Sequence, residues 1–312
     1  MRIFLTGASG YLGGVLTEHL IASGHQVSAL ARSLAARDRV SASGAQAVPG
    51  SLADTETLHL AAAQADAVVH AAVDFSNPAM HEVEQPALAA MLSGLKPGRP
   101  FVYTSTGLVY PGGDGLAVDE NTPVEPGSSA QPYKVLGERQ VLAADGPAVT
   151  VIRAALIYGR GGTALLQGLI ANARERKVTA YIGDGGNEWS SVHVDDLARL
   201  YVAALSLGEP GLVVNAASRS RTSMREIAEA VAHITQARAL RITLEQAQQM
   251  MGPLADVLAR SSLIDPSRAE RVLGWRPVEP SLADELRTGS YASATLGWQH
   301  SQSPCSSFPV QG

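Results

Sequence analysis

The stretch Thr6-Gly7-Ala8-Ser9-Gly10-Tyr11-Leu12-Gly13 decides the fold that this sequence predicts. The mostly apolar residues Met1 to Leu5 precede it and predict a buried strand, and the apolar pairs between Val15 and Ile21 predict a helix after it. A glycine-rich turn between strand and helix lets the backbone approach a ligand, and the helix N-terminus offers free N–H groups to a pyrophosphate. We therefore predict a dinucleotide-binding loop, with an ordinary strand–turn–helix corner as the alternative.

Each glycine of this stretch has its own predicted role. Gly7 takes the tight turn, Gly10 leaves the phosphates unobstructed, and Gly13 lets the helix lie close to the strand. The intervening residues expected at the same cofactor site are Ser9, Tyr11 and Leu12.

The spacing of the glycines resembles the fingerprint of a known superfamily. With Thr6 in front and Tyr11-Leu12 inside, GxxGxxG is similar to the motif of the extended and atypical short-chain dehydrogenase/reductases, the relatives of NAD-dependent epimerases and dehydratases. The segments Leu263 to Ala269 and Val272 to Pro277 resemble the closing part of these proteins, so the resemblance covers roughly residues 1 to 288. It implies a Rossmann sheet, a smaller C-terminal α/β lobe for the substrate, and a homodimer.

Composition and charge limit the classes of function. The 312 residues are 46% hydrophobic and 17% charged, enough for one large core and a smaller lobe. A net charge of -5 gives no basic surface for nucleic acid or an acidic membrane. The single cysteine, Cys305, forms no disulfide within the chain. No signal peptide precedes the first strand and no apolar run spans a bilayer, so we expect a cytoplasmic protein.

Strands alternate with helical stretches in the first half of the chain. The predicted strands are Met1–Leu5, Gln26–Ala31, Ala45–Val48, Ala67–Ala71, Phe101–Thr104 and Val149–Arg153. This alternation predicts an α/β fold with a doubly wound parallel sheet. We expect a dinucleotide-binding domain over 1–160 that also receives segments near 190–216, a substrate lobe over 161–289, and a flexible tail over 290–312.

The end of the second predicted strand bears on the choice of cofactor. A carboxylate there binds the ribose 2′-hydroxyl of NAD, whereas an arginine accommodates the 2′-phosphate of NADP. Arg32 follows the strand directly, and no carboxylate occurs before Asp38. Arg32 can bind a phosphate through two N–H groups, and the hydroxyls of Ser9 and Ser33 can add to it. We predict a preference for NADP(H), with NAD(H) as the second cofactor and a solvated loop arginine as the alternative.

Two further segments are expected at the cofactor. Relatives carry Gly-Asp-Leu after the third strand, with the Asp on the adenine, whereas this chain carries Ser51-Leu52 after Gly50, so a hydroxyl and the backbone replace the carboxylate. Ala71, Ala72 and Val73 follow the fourth strand, where small residues let a cofactor lie along the sheet. Plain strand packing is the alternative for this second segment.

Hydroxyl side chains end the fifth predicted strand. Such side chains at the carboxyl end of a strand face the ligand crevice of an open α/β sheet. The family places its catalytic Ser or Thr three residues before the valine of a Val-Tyr pair, and that position is Thr106. The resemblance implies that Thr106 hydrogen-bonds the substrate oxygen. Ser105 is the second candidate, and the ordinary composition of a strand end is the alternative.

The Tyr-x-x-x-Lys element of the family is broken in this sequence. One helical turn normally separates the two residues, so that the tyrosine transfers the proton while the lysine lowers the tyrosine pKa and holds the nicotinamide ribose. Matching Lys134 and Glu138 to the pattern puts Ala130 in the tyrosine position. Matching Tyr133 instead puts Gly137 in the lysine position.

Two accounts of this element stay open. In the first, three residues are missing between Tyr133 and Lys134, and Tyr133 acts from the helix entry, where Pro132 suits the first turn. In the second, the tyrosine is lost, Lys134 binds ribose or acts alone, and the proton comes from water or Thr106. A solvent-exposed helix pair of Lys134 and Glu138 is the structural alternative.

Later segments bear on substrate and metal. Apolar Leu156 and Ile157 stand where sugar-nucleotide relatives carry polar side chains, which favours a small, rather apolar substrate. Asp195 or Asp196 is expected to cap a helix, and His193 is expected to be structural. No other ligand residues lie near these three, so no metal site is predicted.

Taken with the resemblance, these patterns predict an NADP(H)-dependent oxidoreductase that reduces a carbonyl group. Thr106, Tyr133 and Lys134 are its predicted catalytic residues, and Lys134 also contacts the cofactor. The alternatives are a non-redox or self-contained redox epimerase, isomerase or lyase on the same scaffold, and a cofactor-binding sensor without turnover.

Overall fold

The computed structural model describes residues 1–73, 77, 79–113 and 115–292. Its strands are β1 (Arg2–Thr6), β2 (Gln26–Ala31), β3 (Gln46–Pro49), β4 (Ala67–His70), β5 (Pro100–Thr106), β6 (Ala148–Ala154), β7 (Leu156–Tyr158), β8 (Val178–Ile182), β9 (Glu188–His193), β10 (Leu212–Ala216), β11 (Arg221–Ser223) and β12 (Arg238–Ile242). Its α-helices are α1 (Tyr11–Ala22), α2 (Leu34–Ala42), α3 (Thr55–Gln64), α4 (Met80–Gly94), α5 (Pro132–Leu142), α6 (Ala164–Arg176), α7 (Val194–Leu207), α8 (Met224–Thr235), α9 (Leu244–Met251), α10 (Leu254–Leu258), α11 (Ser267–Leu273) and α12 (Leu282–Thr288).

A seven-stranded parallel sheet in the described part of the chain carries the fold, in the order β10-β6-β5-β4-β1-β2-β3. Helices α1, α2 and α7 bury one face, and α3, α4 and α5 bury the other. The chain reverses its direction of travel across the sheet between β1 and β4. Ligands of such sheets bind at the carboxyl ends of the strands beside this reversal. The predicted doubly wound Rossmann sheet is confirmed.

Most predicted elements agree with the structure, with differences at their ends. Strand β5 continues two residues beyond the predicted Thr104, to Thr106. The expected cap of α7 is wrong, because His193 is the N-cap and its side chain accepts from Asp195 N–H, while Asp196 lies in the first turn. The short helix α2 was not predicted from the sequence.

The C-terminal part builds two small sheets beside the large one. The first has the order β11-β9-β7, and the second pairs β12 with β8. Ser290 and Tyr291, at the start of the predicted tail, are packed, and Tyr291 is 1% exposed. The rest of that tail, 293–312, lies outside the described residues, and the boundaries at 160 and 289 stay predictions. No helix in the described segments is both long and apolar enough to cross a membrane.

Candidate cofactor and substrate site

The glycine-rich loop joins β1 to α1 in a conformation that two of its glycines require. Gly7 has a φ of +84°, and its carbonyl accepts a hydrogen bond of 2.9 Å from Gly10 N–H. A Cβ on Gly13 would lie 2.0 Å from the Gly7 carbonyl oxygen, and a Cβ on Gly7 would lie 2.7 Å from the Ala71 backbone. The loop therefore packs backbone against backbone, as the roles of Gly7 and Gly13 predicted.

The middle glycine differs from the other two. A Cβ on Gly10 would meet only the Gly7 oxygen, at 3.3 Å, and Gly10 is exposed. It is the N-cap of α1, and no side chain caps this helix end. The Ser9 hydroxyl, half-buried beside it, has no hydrogen-bond partner among the described residues. Free N–H groups and a free hydroxyl thus stand at the positive end of a helix, as an anion site requires.

Tyr11 has a structural contact that the sequence did not reveal. Its hydroxyl donates a hydrogen bond of 2.7 Å to the Gly159 carbonyl, and its ring occupies the space that a Cβ on Gly162 would need. Leu12 packs against the core on the α1 side of the sheet. The side chain of Tyr11 therefore ties the loop to the segment after β7.

The end of β2 carries the residues expected to select the cofactor. Arg32 is exposed immediately after the strand. The Ser33 side chain accepts a hydrogen bond of 3.2 Å from Ala36 N–H and so caps α2. Arg37, in the first turn of α2, has a buried Nε without a hydrogen-bond partner among the described residues. A buried guanidinium N–H without an acceptor suits a position that an anionic ligand completes.

The two segments expected along the cofactor, Ser51-Leu52 and Ala71 to Val73, have different surroundings in the structure. The Ser51 hydroxyl donates to Asp54 Oδ2 at 2.9 Å and is therefore already engaged. Leu52 is half-buried and packs at the edge of the α3 and α4 core. A Cβ on Gly7 would lie 2.7 Å from the Ala71 backbone and 2.8 Å from Ala72 N, so the carboxyl ends of β1 and β4 lie side by side. Val73 follows and is 39% exposed.

Thr106 ends β5 and is half-buried. Its oxygen accepts a hydrogen bond of 3.2 Å from Leu108 N–H and caps a short 3₁₀ helix, Gly107–Val109, which leaves its O–H free to donate. Ser105, the second candidate, is 3% exposed and donates to Glu138. Of the two predicted hydroxyls, Thr106 remains able to meet a substrate.

Glu138 is part of a buried hydrogen-bond network and does not form the solvent-exposed helix pair with Lys134 that was the structural alternative. It is 1% exposed, and Arg153 donates to both of its carboxylate oxygens. Arg153 also donates to the Tyr110 hydroxyl at 2.8 Å, and Tyr110 donates to Asn215 Oδ1 at 2.9 Å. This network joins α5 to the three strands β5, β6 and β10, and sequence reasoning missed it.

Lys134 and Tyr133 lie in the first turn of α5. Lys134 is buried, and its Nζ donates a hydrogen bond of 2.7 Å to Glu84 Oε1. The same Nζ lies 5.3 Å from the centre of the Tyr133 ring, so the two residues are close although they are adjacent in sequence. Burial and the negative charge of Glu84 raise the pKa of Tyr133.

The structure shows what surrounds Ala130 and Gly137, the two residues that replace the tyrosine and the lysine in the alternative matches to the family motif. Ala130, in the tyrosine position of the motif, has no side-chain hydroxyl. It is exposed and lines a cavity. A Cβ on Gly137 would lie 2.2 Å from the Tyr103 hydroxyl, which excludes any longer side chain without rearrangement. A lysine therefore does not fit at Gly137.

The cavity has a volume of about 390 Å³ and opens beside the residues that follow Thr106. Its apolar lining residues are Leu108, Leu116, Val118, Val257, Leu263 and Ile264. Arg260 contributes a cation and Asp256 an anion. Thr106, Tyr133 and Lys134 do not line this cavity. Trp189 packs structurally, since its Nε1–H donates to the Arg260 carbonyl at 2.8 Å.

The comparison with known proteins agrees with this geometry. A family model described as the NAD dependent epimerase/dehydratase family matches residues 3–217. The chain belongs to this family. An uncharacterized protein of Schizosaccharomyces pombe is 30% identical over 302 residues, covering 93% of this chain and 100% of the relative.

Two further comparisons concern a relative in sequence and a similar solved structure. The 4-hydroxy-2-methyl-3-oxo-4-farnesyl-3,4-dihydroquinoline-1-oxide ketoreductase of Stigmatella aurantiaca is 34% identical, over 68% of this chain and 67% of the relative. A dTDP-glucose 4,6-dehydratase of Streptomyces venezuelae, solved with NAD and TYD bound, has a TM-score of 0.76 at 22% identity, over 94% of this chain and 97% of that chain. The second likeness establishes the fold, and NAD is bound in that protein.

His193, expected to be structural, packs beside Gly159, the residue that Tyr11 of the loop contacts. His193 is buried with its ring edge against Tyr158, and a Cβ on Gly159 would lie 2.1 Å from His193 Nε2. Within the described residues, His193, Asp195 and Asp196 form no cluster able to hold a metal ion.

Proposed function

We propose that the chain is an NADPH-dependent reductase of a carbonyl group on a small, rather apolar compound. The observation that carries the proposal is the glycine-rich loop, where Gly7 and Gly13 leave no room for a Cβ and Gly10 is exposed at an uncapped helix end. Arg32, directly after β2, and the Arg37 Nε in α2, which has no hydrogen-bond partner among the described residues, favour a cofactor with an additional phosphate. The residues of the loop thus fit a nicotinamide dinucleotide.

The proposed reaction divides the work among three side chains. When bound, NADPH supplies a hydride for the carbonyl carbon. Thr106, whose O–H is free to donate, hydrogen-bonds the carbonyl oxygen, and Tyr133 donates the proton that completes the alcohol. Lys134 holds the ribose side of the crevice through its fixed ammonium group. The ketoreductase relative supports an apolar substrate, and so does the largely apolar lining of the cavity, which begins one residue after Thr106, at Gly107.

The proposal is tested by incubating the purified chain with NADPH and a panel of apolar ketones and aldehydes. We expect loss of the reduced-nicotinamide absorbance together with formation of one equivalent of alcohol. Tight NADPH binding without consumption on any carbonyl would contradict the reductase proposal. The proposed homodimer, which rests on family resemblance, is tested by light scattering, and the proposed cytoplasmic location by fractionation of expressing cells.

A second candidate function is supported by the α5 region. Ala130 offers no hydroxyl, and the Lys134 ammonium is already bonded to Glu84. Both observations favour an epimerase, isomerase or lyase with no net redox change, or a binding protein without turnover. Product formation without net NADPH consumption would support the first of these, and binding alone would support the second.

A further inference from the structure

A chain of buried polar side chains runs from the end of β1 to the first turn of α5. Thr6 Oγ1 lies 2.8 Å from His70 Nδ1, and His70 Nε2 lies 3.3 Å from Glu84 Oε1. Lys134 Nζ reaches the same Glu84 oxygen at 2.7 Å. The exposed fractions are 0% for Thr6 and His70, 1% for Glu84 and 6% for Lys134. We refer to these four residues as the Glu84 chain.

Donor and acceptor roles along the Glu84 chain run in one direction. A carboxylate only accepts, so His70 Nε2 carries a hydrogen and Nδ1 accepts from the Thr6 hydroxyl. The Thr6 oxygen in turn accepts from Ala72 N–H at 3.3 Å. Burial lowers the pKa of His70, which keeps the ring neutral as this assignment requires. Each member is therefore satisfied only while its neighbours stay in place.

The ammonium of Lys134 is held from several sides. Its Nζ lies 4.7 Å above the centre of the Tyr103 ring and 5.3 Å from that of Tyr133. Tyr103 also donates to Glu84 Oε2 at 3.2 Å, so both carboxylate oxygens are engaged. Burial raises the pKa of Glu84, but the hydrogen bond from His70 and the charge of Lys134 outweigh it and lower the pKa to about 2. The carboxylate therefore stays ionised at neutral pH.

We infer that Glu84 is the positioning residue of Lys134, because its carboxylate fixes the ammonium beside Tyr133 and connects it, through His70, to Thr6 at the start of the glycine-rich loop. The inference rests on the proposed function, in which Lys134 and Tyr133 serve carbonyl reduction. Glu84 does not touch the reacting atoms in this scheme. It determines where the positive charge lies and how much of that charge the Tyr133 hydroxyl experiences.

The charge of Glu84 has a consequence for proton transfer. It offsets the ammonium charge next to Tyr133, and, added to burial, it raises the pKa of that hydroxyl. Tyr133 therefore stays protonated at neutral pH and has a proton to donate, but its pKa is raised, not lowered as the family pattern of tyrosine and lysine led us to expect. The oxygen gains this proton, the carbon gains a hydride from NADPH, and solvent returns a proton to Tyr133.

The other titratable groups around this pair come from the neighbouring strands and from α5. His70 faces Glu84 from β4, and Tyr103 faces it from β5. Glu138, one turn along α5, contributes with burial and Glu84 to the raised pKa of Tyr103, but it is neutralised by Arg153. Glu84 is therefore the carboxylate that acts on Tyr133.

The test uses the small number of lysines in the chain. The sequence has three, and Lys96 and Lys177 are exposed whereas Lys134 is buried. In protein labelled with ¹⁵N-lysine, we expect one ammonium resonance with slow hydrogen exchange, absent from Lys134→Arg. Glu84→Gln should abolish that slow exchange, and Glu84→Asp, which keeps the charge, should retain part of it. Glu125→Gln, which breaks an exposed pair with Arg139, is the control and should leave the resonance unchanged.

A second readout separates this inference from the proposed function. In the pH profile of kcat for carbonyl reduction, Glu84→Gln should move the alkaline limb to lower pH, since Tyr133 then loses its proton more readily. An unchanged ammonium resonance in folded Glu84→Gln and Glu84→Asp would overturn the inference, and so would a changed resonance with an unchanged pH profile. Absence of turnover in every variant would overturn the proposed function, while the resonance would still decide the role of Glu84.

Discussion

The glycine-rich loop and the first turn of α5 both belong to the candidate site, but different kinds of contact hold them in place. The loop is held by backbone atoms, because a Cβ on Gly13 would lie 2.0 Å from the Gly7 oxygen. The α5 turn is held by side chains from other elements, with Lys134 against Glu84 and Tyr103. Close backbone contacts accept no added atom, whereas side-chain contacts can be exchanged for others of similar size. The loop is therefore the more strictly determined of the two regions.

The largest effect is expected from one methyl group in the loop. Gly13→Ala forces α1 away from β1 and should lower the free energy of unfolding by more than about 3 kcal/mol. Gly14→Ala is the matched control, because its Cβ would lie 3.8 Å from the Ala8 oxygen. Alanine inside a helix should stabilise by up to about 1 kcal/mol. Urea unfolding followed by circular dichroism compares them, and equal stabilities would break the contrast between the two regions.

A substitution in the first turn of α5 should lower the catalytic activity and have little effect on stability. Tyr133→Phe removes the proposed proton donor and should lower kcat for carbonyl reduction by about 10²- to 10⁴-fold, with NADPH binding retained. Tyr181→Phe, which changes a tyrosine of β8 that stacks with Arg225, is the control and should keep full turnover. Turnover of Tyr133→Phe at the wild-type rate would favour the account in which the catalytic tyrosine is lost.

Substitution of the buried Glu138 tests whether side-chain contacts everywhere in α5 can be replaced without a large loss of stability. Glu138→Gln leaves the Arg153 guanidinium without its counter-charge and should cost about 3–5 kcal/mol of unfolding free energy. Glu125→Gln breaks an ion pair whose side chains are 66% and 50% exposed, and should cost less than about 1 kcal/mol. Chemical denaturation of both variants at one pH measures the difference. Similar losses of unfolding free energy in the two variants would show that burial does not determine how much the Glu138–Arg153 pair contributes to stability.

The smallest effect concerns cofactor choice. Arg32→Ala should weaken NADPH binding by about 10- to 100-fold, because charge-assisted hydrogen bonds to a phosphate contribute about 1.5–3 kcal/mol. NADH binding should change little. Arg39→Ala, an exposed arginine of α2, serves as the control. Fluorescence titration of wild type and both variants with each nucleotide measures the dissociation constants, and equal losses for NADPH and NADH would refute a role for Arg32 in selection.

The sequence was sufficient to predict the loop because the need for glycine at a position comes from the backbone at that position and its close neighbours. Gly7 and Gly13 each stand where the structure excludes a Cβ, and the strand–loop–helix order around them is legible from apolar periodicity. The same reasoning predicted the parallel sheet and placed the bounds of β1 to β6 to within about two residues. The roles of Ser9, Gly10 and Arg32 toward a cofactor stay predictions.

The network around Lys134 was not predictable in the same way. Its partners come from β4, α4 and β5, and their pairing depends on tertiary packing that no local pattern encodes. One signal was available, because Glu84 falls on the buried stripe of α4 with Met80, Leu88 and Met91. A carboxylate on an apolar stripe requires a buried partner. That signal indicated an ion pair but did not identify Lys134.

The hydroxyl of Tyr291 has a consequence for how the chain folds as it is made. It accepts from Gly159 N–H at 3.0 Å and donates to the Gly162 carbonyl at 2.8 Å. The loop between these residues also receives the Tyr11 hydroxyl at Gly159. During synthesis, Tyr11 leaves the ribosome long before residue 291. Until residue 291 follows, the loop from Gly159 to Gly162 lacks the two hydrogen bonds of the Tyr291 hydroxyl.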